Sequence, residues 1–462
     1  MKTRNLFLMG LIAFGLAFTA CNTTDDDMPE IEKGKKDATV SVRVAISSQG
    51  TRLTGDLSGT GTSAKGRAEE SRIYTLEAWL FNADGTLDGY SNNTEDITSG
   101  ALSGFPYIVA LEATVGKGKQ LVVAANTSIG KSGITELADL EAKLENLTQN
   151  EAATSPRLPV GTTVAGIGLP MVSLVQKGIE IVQGENLFGP RPGTHHATNP
   201  PDNHISGDPL MLHRLHARVS LVSLQFDFTD EMADEGRFDR FYLEEVVMFN
   251  VRNQSRILPI TVDTYDRLLG GNNIWFGYAY PPLNDAYANA SDGGVEKPSL
   301  RQAFPVTPTS PVTSGELINL NNAPFFYVFE NDDTSNGRKK ANGNDMTGTF
   351  LVLAGELWLG DRDFGGAQYW GTTDMSGKGI QVDQETGFTY YTIFINDPKH
   401  FDDLVKAADP TIGTSHIWRN RLYNLFVTLT THGKAVVGEE IPKLDVVVDI
   451  QPWEPVDQVI KF

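Results

Sequence analysis

Residues 39–46 read TVSVRVAI, and Val40, Val42, Val44 and Ile46 fall on alternate positions. Successive side chains of an extended chain point to opposite faces, so one face of this segment is apolar along its whole length. A single strand of this kind can complete a hydrophobic core. The segment that follows, SSQGTRLTGDLSGTGTSAKGRAEE (47–70), is rich in glycine and serine and nearly devoid of apolar residues. It has little to bury and is expected to be exposed and easily nicked.

Ten further runs share the character of the first: IYTLEAWLFN (73–82), YIVALEATV (107–115), KQLVVAAN (119–126), ARVSLVSLQFDF (217–228), FYLEEVVMFNV (241–251), FFYVFE (325–330), FLVLAGELWL (350–359), FTYYTIFI (388–395), RLYNLFVTLT (421–430) and LDVVVDI (444–450). They are short, β-branched or aromatic, and bounded by Gly, Asn, Asp and Pro, the pattern of antiparallel sandwich strands. Helical periodicity is sparse. Leu137, Leu140, Leu144 and Leu147 recur at helical spacing in GITELADLEAKLENL (133–147), with Thr135 as a cap, and PKHFDDLVKAAD (398–409) is a second candidate. The fold class expected is all-β with few short helices.

A chain of 462 residues exceeds what one hydrophobic core usually supports, so two domains are expected. Residues 186–210, NLFGPRPGTHHATNPPDNHISGDPL, concentrate proline, glycine and asparagine and read as a connector. The division expected is an N-terminal domain over 38–207 and a C-terminal domain over 208–462. Polar insertions at 285–324 and 331–348 read as exposed loops.

Upstream, residues 1–20 have Lys2 and Arg4 before an apolar run from Leu6 to Phe18, the pattern of an export signal. The run is short of the roughly 20 residues needed to span a bilayer, and acidic residues follow it. Cys21, the one cysteine of the chain, stands where a bacterial lipoprotein signal places its acylated residue. Residues 21–37 are polar and read as a flexible tether. The formal charge is -20, and loss of Lys2 and Arg4 with the leader makes it more negative. Such a surface repels phosphate backbones, which excludes a nucleic-acid partner.

Chemistry-bearing motifs are missing. No dinucleotide fingerprint, phosphate-binding loop or nucleophile elbow is present. His213 and His216 in LHRLHAR are three apart, which in a strand turns them to opposite faces, and they read as ordinary surface or interdomain residues, as do His195, His196 and His204. Glu244, Glu245 and Glu330 are carboxylates without the paired arrangement that glycoside hydrolysis requires. The acidic clusters at 24–26 and 331–333 lack the ligand spacing of a calcium loop. Trp79, Trp358 and Trp418 read as core or sheet-edge packing. No catalytic residue, metal or cofactor is expected.

The ordered set of segments resembles the FimA-type fimbrillin family, the major subunits of the type V fimbriae of Bacteroidales such as Porphyromonas. The resemblance rests on the lipoprotein signal ending at Cys21, DATVSVRVAISSQGTR before a glycine-rich stretch, KQLVVAANT (119–127), NHISGDPLMLHRLHARVSL (203–221), FYVFENDDTSNG (326–337), RNRLYNLFVTLTTHG (419–433) and LDVVVDIQPWEPV (444–456). It implies two tandem transthyretin-like β-sandwich domains, delivery to the outer membrane as a lipoprotein, and maturation by an arginine-specific protease that cuts after the first strand. Removal of that strand opens a groove, which a C-terminal strand of another subunit fills.

Carried onto this chain, the resemblance makes Arg52 the cleavage site by its place after the first strand, with Arg67 as the alternate; Arg72 touches the next strand. The removable strand presents Val40, Val42, Val44 and Ile46. Donor candidates lie at the chain end, where Leu444, Val446, Val448 and Ile450 share a face, and beyond the breaks at Pro452 and Pro455, where Val456, Ile460 and Phe462 recur; the simpler alternative is that they are ordinary last strands of the second domain. The function expected is a structural subunit of surface fimbriae that polymerises with copies of itself or related fimbrial subunits and supports adhesion. The alternative is a monomeric surface lipoprotein that binds glycan or protein ligands through an aromatic loop such as 358–370.

Overall fold

Each of the eleven apolar runs is a strand in the computed structural model, because each has a face to bury and partners with which to close its ladder. The structure describes residues 34–46, 70, 73–93, 107–146, 168–190, 201–227, 238–249, 251–252, 254–258, 274–275, 300–303, 312–313, 317–319, 325–331, 349–369, 382–383, 387–397, 403–408, 416–430, 432–435 and 444–452. The first half comprises β1 (Ala38–Ile46), β2 (Leu76–Phe81), β3 (Leu87–Asn93), β4 (Tyr107–Ala113), β5 (Gly116–Ala125), α1 (Leu137–Glu141), β6 (Leu144–Asn146), β7 (Met171–Ser173), β8 (Gln176–Ile181), β9 (Gly184–Phe188), β10 (Asn203–Ser206) and β11 (Leu210–Arg214). The second comprises β12 (His216–Phe226), β13 (Arg240–Phe249), β14 (Val251–Arg252), β15 (Gln254–Arg256), β16 (Ile274–Trp275), β17 (Leu300–Ala303), β18 (Val312–Thr313), β19 (Leu317–Asn319), β20 (Phe325–Phe329), β21 (Phe350–Leu359), β22 (Ala367–Gln368), β23 (Thr389–Phe394), α2 (Asp403–Ala408), β24 (Arg421–Leu429) and β25 (Leu444–Pro452).

The N-terminal sheet runs β10-β9-β1-β11-β7-β5-β2-β3, with β4 also on β1 and β8 also on β5. Two C-terminal sheets follow. One runs β19-β12-β24-β25 with β20 on β12; the other runs β17-β13-β21-β22 with β18 on β13 and β23 on β21. Only Leu215 separates β11 from β12, so the chain passes between sheets there. Contacts divide the chain into Met1–Lys35 and Lys36–Phe462, and all the strands belong to the latter.

β2 shows why its sequence lacks a clean alternation: all six of its residues are buried. Leu76, Ala78 and Leu80 join the core lined by Val40, Val42 and Val44, while Trp79 and Phe81 join a larger core that includes Leu215, Val219 and Phe226. Glu77, also buried, is satisfied in place. Its carboxylate accepts from Thr127 Oγ1 (2.8 Å), Gly130 N (2.7 Å) and Tyr90 Oη (3.0 Å). Lys119 and Asp88 form a second buried polar knot, 2.7 Å apart; Lys119 Nζ also donates to Asn82 Oδ1 and Thr114 Oγ1, each at 2.9 Å. The KQLVVAANT segment ends on Asn126, whose backbone is left-handed (φ 58°). Its side chain accepts from Tyr74 N (2.8 Å) and donates to Leu169 O (2.9 Å), a turn that asparagine tolerates better than most residues.

Several expectations are corrected. The 133–147 helix spans only Leu137–Glu141, because Leu144–Asn146 pairs instead with Gln254–Arg256. Its N-cap is Glu136, with Asp139 completing the box, in place of Thr135; Thr135 donates to Asp139. Within the predicted loop at 285–324, β17 and β18 pair with β13, and β19 pairs with β12. The predicted connector begins in β9, contains β10, which pairs with β9, and ends on the first residue of β11. The ladders are mostly antiparallel, yet β1 is parallel to β9 and β11, β9 to β10, and β12 to β24.

His213 lies in β11 and is buried; burial, aided by the nearby Arg419 cation, lowers its pKa to about 4. A histidine depressed in the folded state contributes stability above its unfolded pKa of about 6.5, and this is lost as pH falls toward 4. Denaturant titrations should show about 3 kcal/mol more loss between these values in the wild type than in His213→Met. Lys119→Met, which strands Asp88 in the interior, should lower stability by about 3 to 5 kcal/mol in the same assay at neutral pH.

Candidate assembly site: the first strand, its slot and a buried junction

β1 is an internal strand. β4 pairs with it antiparallel from Ala38↔Ala113 to Val44↔Tyr107. On its other side β9 pairs over Ala38–Val42, and β11 takes over from Val44↔Leu210 to Ile46↔Leu212. Val40, Val42 and Val44 are buried, and each stabilises the fold by about 2 kcal/mol relative to exposure. For Ile46 the structure describes the backbone pairing. On the opposite face Gly189 (φ +116°) crosses Arg43, where a Cβ would stand 2.6 Å from Arg43 Cβ, so only glycine fits. The strand's start is held by Gly184 N donating to Asp37 O (3.1 Å) and by Asn186 Nδ2 donating to Thr39 O (3.4 Å).

Residues 47–69, which hold Arg52 and Arg67, lie outside the described residues, as do Arg72 and Cys21. The two ends of that segment meet the same strand. Ile46 pairs with Leu212 of β11, and the carbonyl of Glu70 accepts from Arg214 Nε, at the end of β11, at 3.1 Å. The Glu70 carboxylate is fully buried and accepts from Arg218 Nη1 of β12 (2.9 Å) and from Tyr327 Oη of β20 (2.6 Å). Burial pulls the Arg214 guanidinium down to about 10, with Glu70 opposing the shift.

The junction extends through β24's approach. Asn420, left-handed at φ 58°, donates its backbone N–H to His216 O (2.8 Å) and accepts from Arg214 N through Oδ1 (3.2 Å). Arg419 forms a two-pronged ion pair with Glu330, Nε to Oε2 at 2.8 Å, and also donates to Ile257 O and Arg256 O. The His216 ring packs on Phe329 at 4.6 Å. Thus HRLHAR, FYVFEN and RNRLYN, remote in sequence, meet at one buried place. Glu70 was missed from sequence. The available signal was Arg214, His216 and Arg218 on alternate positions of an otherwise apolar run, an arrangement that calls for a buried counter-charge.

At the chain end, β25 pairs with β24 along its full length, from Arg421↔Pro452 to Leu429↔Leu444, and forms the edge of its sheet. Leu444, Val446, Val448 and Ile450 stand opposite Leu429, Val427, Leu425 and Tyr423, all buried core residues, and Val446 itself is in the core. Val456, Ile460 and Phe462 lie outside the described residues.

Carboxylates considered for acid-base work have structural partners. Glu330 holds Arg419, and Glu244 holds Arg362 at 2.7 Å. Trp79 is buried, and Trp358 packs edge-on against Tyr242. Among the described residues no group of three or more His, Cys, Asp or Glu could hold a metal ion. In the 358–370 loop, Arg362 lies over the Tyr242 ring at 4.3 Å and Asp361 caps the turn by accepting from Asp363 N. This braced turn leaves Phe364 88% exposed.

Comparison with known proteins places these features. Residues 38–214, from the start of β1 to the end of β11, match the model of the family described as major fimbrial subunit protein (FimA). The chain is 22% identical over 440 residues to the major fimbrium subunit FimA type-3 of Porphyromonas gingivalis, covering 94% of this chain and 92% of that one. A crystal structure of a fimbrilin (FimA) from Porphyromonas gingivalis W83 has the same fold, with a TM-score of 0.60 at 21% identity over 92% of this chain and 100% of that one. The likeness to FimA-type fimbrillins is thus carried by the family-model match over the N-terminal sheet that residues 38–214 build, and by the shared fold along most of the chain.

Proposed function

We propose that the chain is a non-catalytic structural subunit of a cell-surface fimbria, which polymerises with copies of itself or related fimbrial subunits and supports adhesion. The supporting observation is the position of β1: internal to its sheet, facing the core with three valines, and joined to β2 through a segment that contains Arg52 and Arg67. In this reading Cys21 carries the lipid that holds the precursor at the outer membrane. An arginine-specific protease then cuts after Arg52, or alternatively Arg67, and β1 departs with the anchor. The departure leaves β4 unpaired on one side of the slot and β9 and β11 on the other, over an apolar floor. A strand from a second subunit restores the backbone hydrogen bonds and refills the valine positions, which is β-augmentation of an open sheet.

Two tandem transthyretin-like β-sandwich domains are the architecture this reading favours, with the exchange between them at Leu215. For the donor, two segments compete. Donating Leu444, Val446, Val448 and Ile450 requires β25 to abandon its ladder with β24. Donating Val456, Ile460 and Phe462 leaves that ladder intact, and this economy favours the last residues. The exposed Phe364 supports a second role for the 358–370 turn as a contact surface, in the filament or in a monomeric binding protein.

Treatment of the precursor with an arginine-specific protease should remove a fragment ending at Arg52 or Arg67, by intact mass, and should produce a ladder of SDS-resistant multimers. An Arg52→Ala, Arg67→Ala double variant should remain full-length and monomeric. A clipped wild-type chain that stays monomeric would favour the binding-lipoprotein reading. Truncation after Pro452 should abolish the ladder while leaving the unfolding midpoint of the monomer unchanged. Val446→Ala, by contrast, should cost about 2 kcal/mol of stability without blocking assembly.

A further inference from the structure

The buried junction around Glu70 has a place in this scheme that strand pairing alone does not give it. We propose that Glu70 is a positioning residue for maturation, one that fixes the downstream stem of the cleaved segment and thereby sets the limit beyond which cutting is unproductive. The inference rests on the proteolytic reading above and on the geometry of three held groups. The carboxylate is bound by Arg218 and Tyr327, and the carbonyl by Arg214. All three donors come from β11, β12 and β20, strands that stay with the subunit when β1 leaves.

Connectivity gives the consequence. A cut after Arg52 or Arg67 leaves Glu70 on the large fragment, so the entry to β2 stays seated on the junction and the slot opens cleanly. A cut after Arg72 places Glu70 on the departing side. Arg218 then loses its 2.9 Å carboxylate contact in a fully buried position, and removing one member of a buried ion pair is strongly destabilising. Tyr74, whose N–H is held by Asn126 at 2.8 Å, would become the second residue of the new chain. Arg72 falls two residues from each of two anchored positions, Glu70 and Tyr74, and this spacing is the basis for expecting slow cutting after it. The bonds after Arg52 and Arg67 lie in a glycine- and serine-rich stretch with little to bury.

The test compares the full-length precursor with Glu70→Gln, which keeps the shape and removes the charge, and with Tyr327→Phe, which removes one donor. Each is exposed to limiting arginine-specific protease, and the products are read by intact mass. The wild type should accumulate the fragment beginning after Arg52 or Arg67, with slow conversion to the one beginning at Ile73. Glu70→Gln should raise the ratio of Arg72 cutting to upstream cutting about tenfold, with Tyr327→Phe between the two. Lys119→Met, which lowers stability without touching the junction, separates local release from general destabilisation, because it should leave that ratio near the wild-type value. An unchanged ratio in Glu70→Gln overturns the inference. Should the wild type resist cutting at both Arg52 and Arg67, the maturation reading fails. The clamp is then judged by trypsin, whose cut after Arg72 should still be about tenfold faster in Glu70→Gln, and equal rates overturn it. If Glu70→Gln does not fold, by circular dichroism, Tyr327→Phe carries the same comparison, with a smaller increase expected and no increase overturning the proposal.

Discussion

A strand inside a sheet has backbone groups committed on both edges, and everything else in this molecule is arranged around the fact that β1 is such a strand. Its amides and carbonyls face β4 on one side and β9 and β11 on the other, while its valines close the core beneath. Buried N–H and C=O groups without partners are costly, so the slot has no stable empty form. Here the chain's own first strand fills it. The parallel ladders to β9 and β11 sharpen the requirement, since they are made by strands far away in sequence.

A different kind of interaction fixes the place where the chain returns to the sheet. Two arginines, a glutamate and a tyrosine meet beneath the point where the chain returns to the sheet, and an asparagine in left-handed geometry ties them to the approach of β24. Ion pairs of this sort add little net stability over apolar packing, but they tolerate few alternative arrangements. Location is the property they supply. Three of the short segments that carry the resemblance, around Arg214, Glu330 and Arg419, meet here.

The strands with an apolar face were legible because alternation is a local property: TVSVRVAI and FLVLAGELWL announce themselves. β3 (LDGYSNN), β8 (QKGIEI), β9 (GENLF) and β10 (NHIS) were not, since each has few apolar residues and owes its conformation to a ladder with a distant partner. The leucine spacing of 133–147 misled for the same reason: pairing of Leu144–Asn146 with Gln254–Arg256 overrides helical periodicity. Of the candidate site, the first strand was readable down to its inward valines. Glu70 was hidden because nothing near it in sequence explains it; its partner Arg218 is 148 residues away.

The parallel pairing of β1 also bears on how the molecule comes to be folded. Val44 is matched with Leu210 and Val42 with Phe188, so although β4 can pair with the first strand early, its other edge stays open until β9 and β11 exist. Topologies dominated by such remote contacts fold slowly, because loop closure must be completed before any ladder rewards it. Until then the folding chain carries a valine-lined strand with one edge unmatched, and completion of the N-terminal sheet waits on the strands made last in that half.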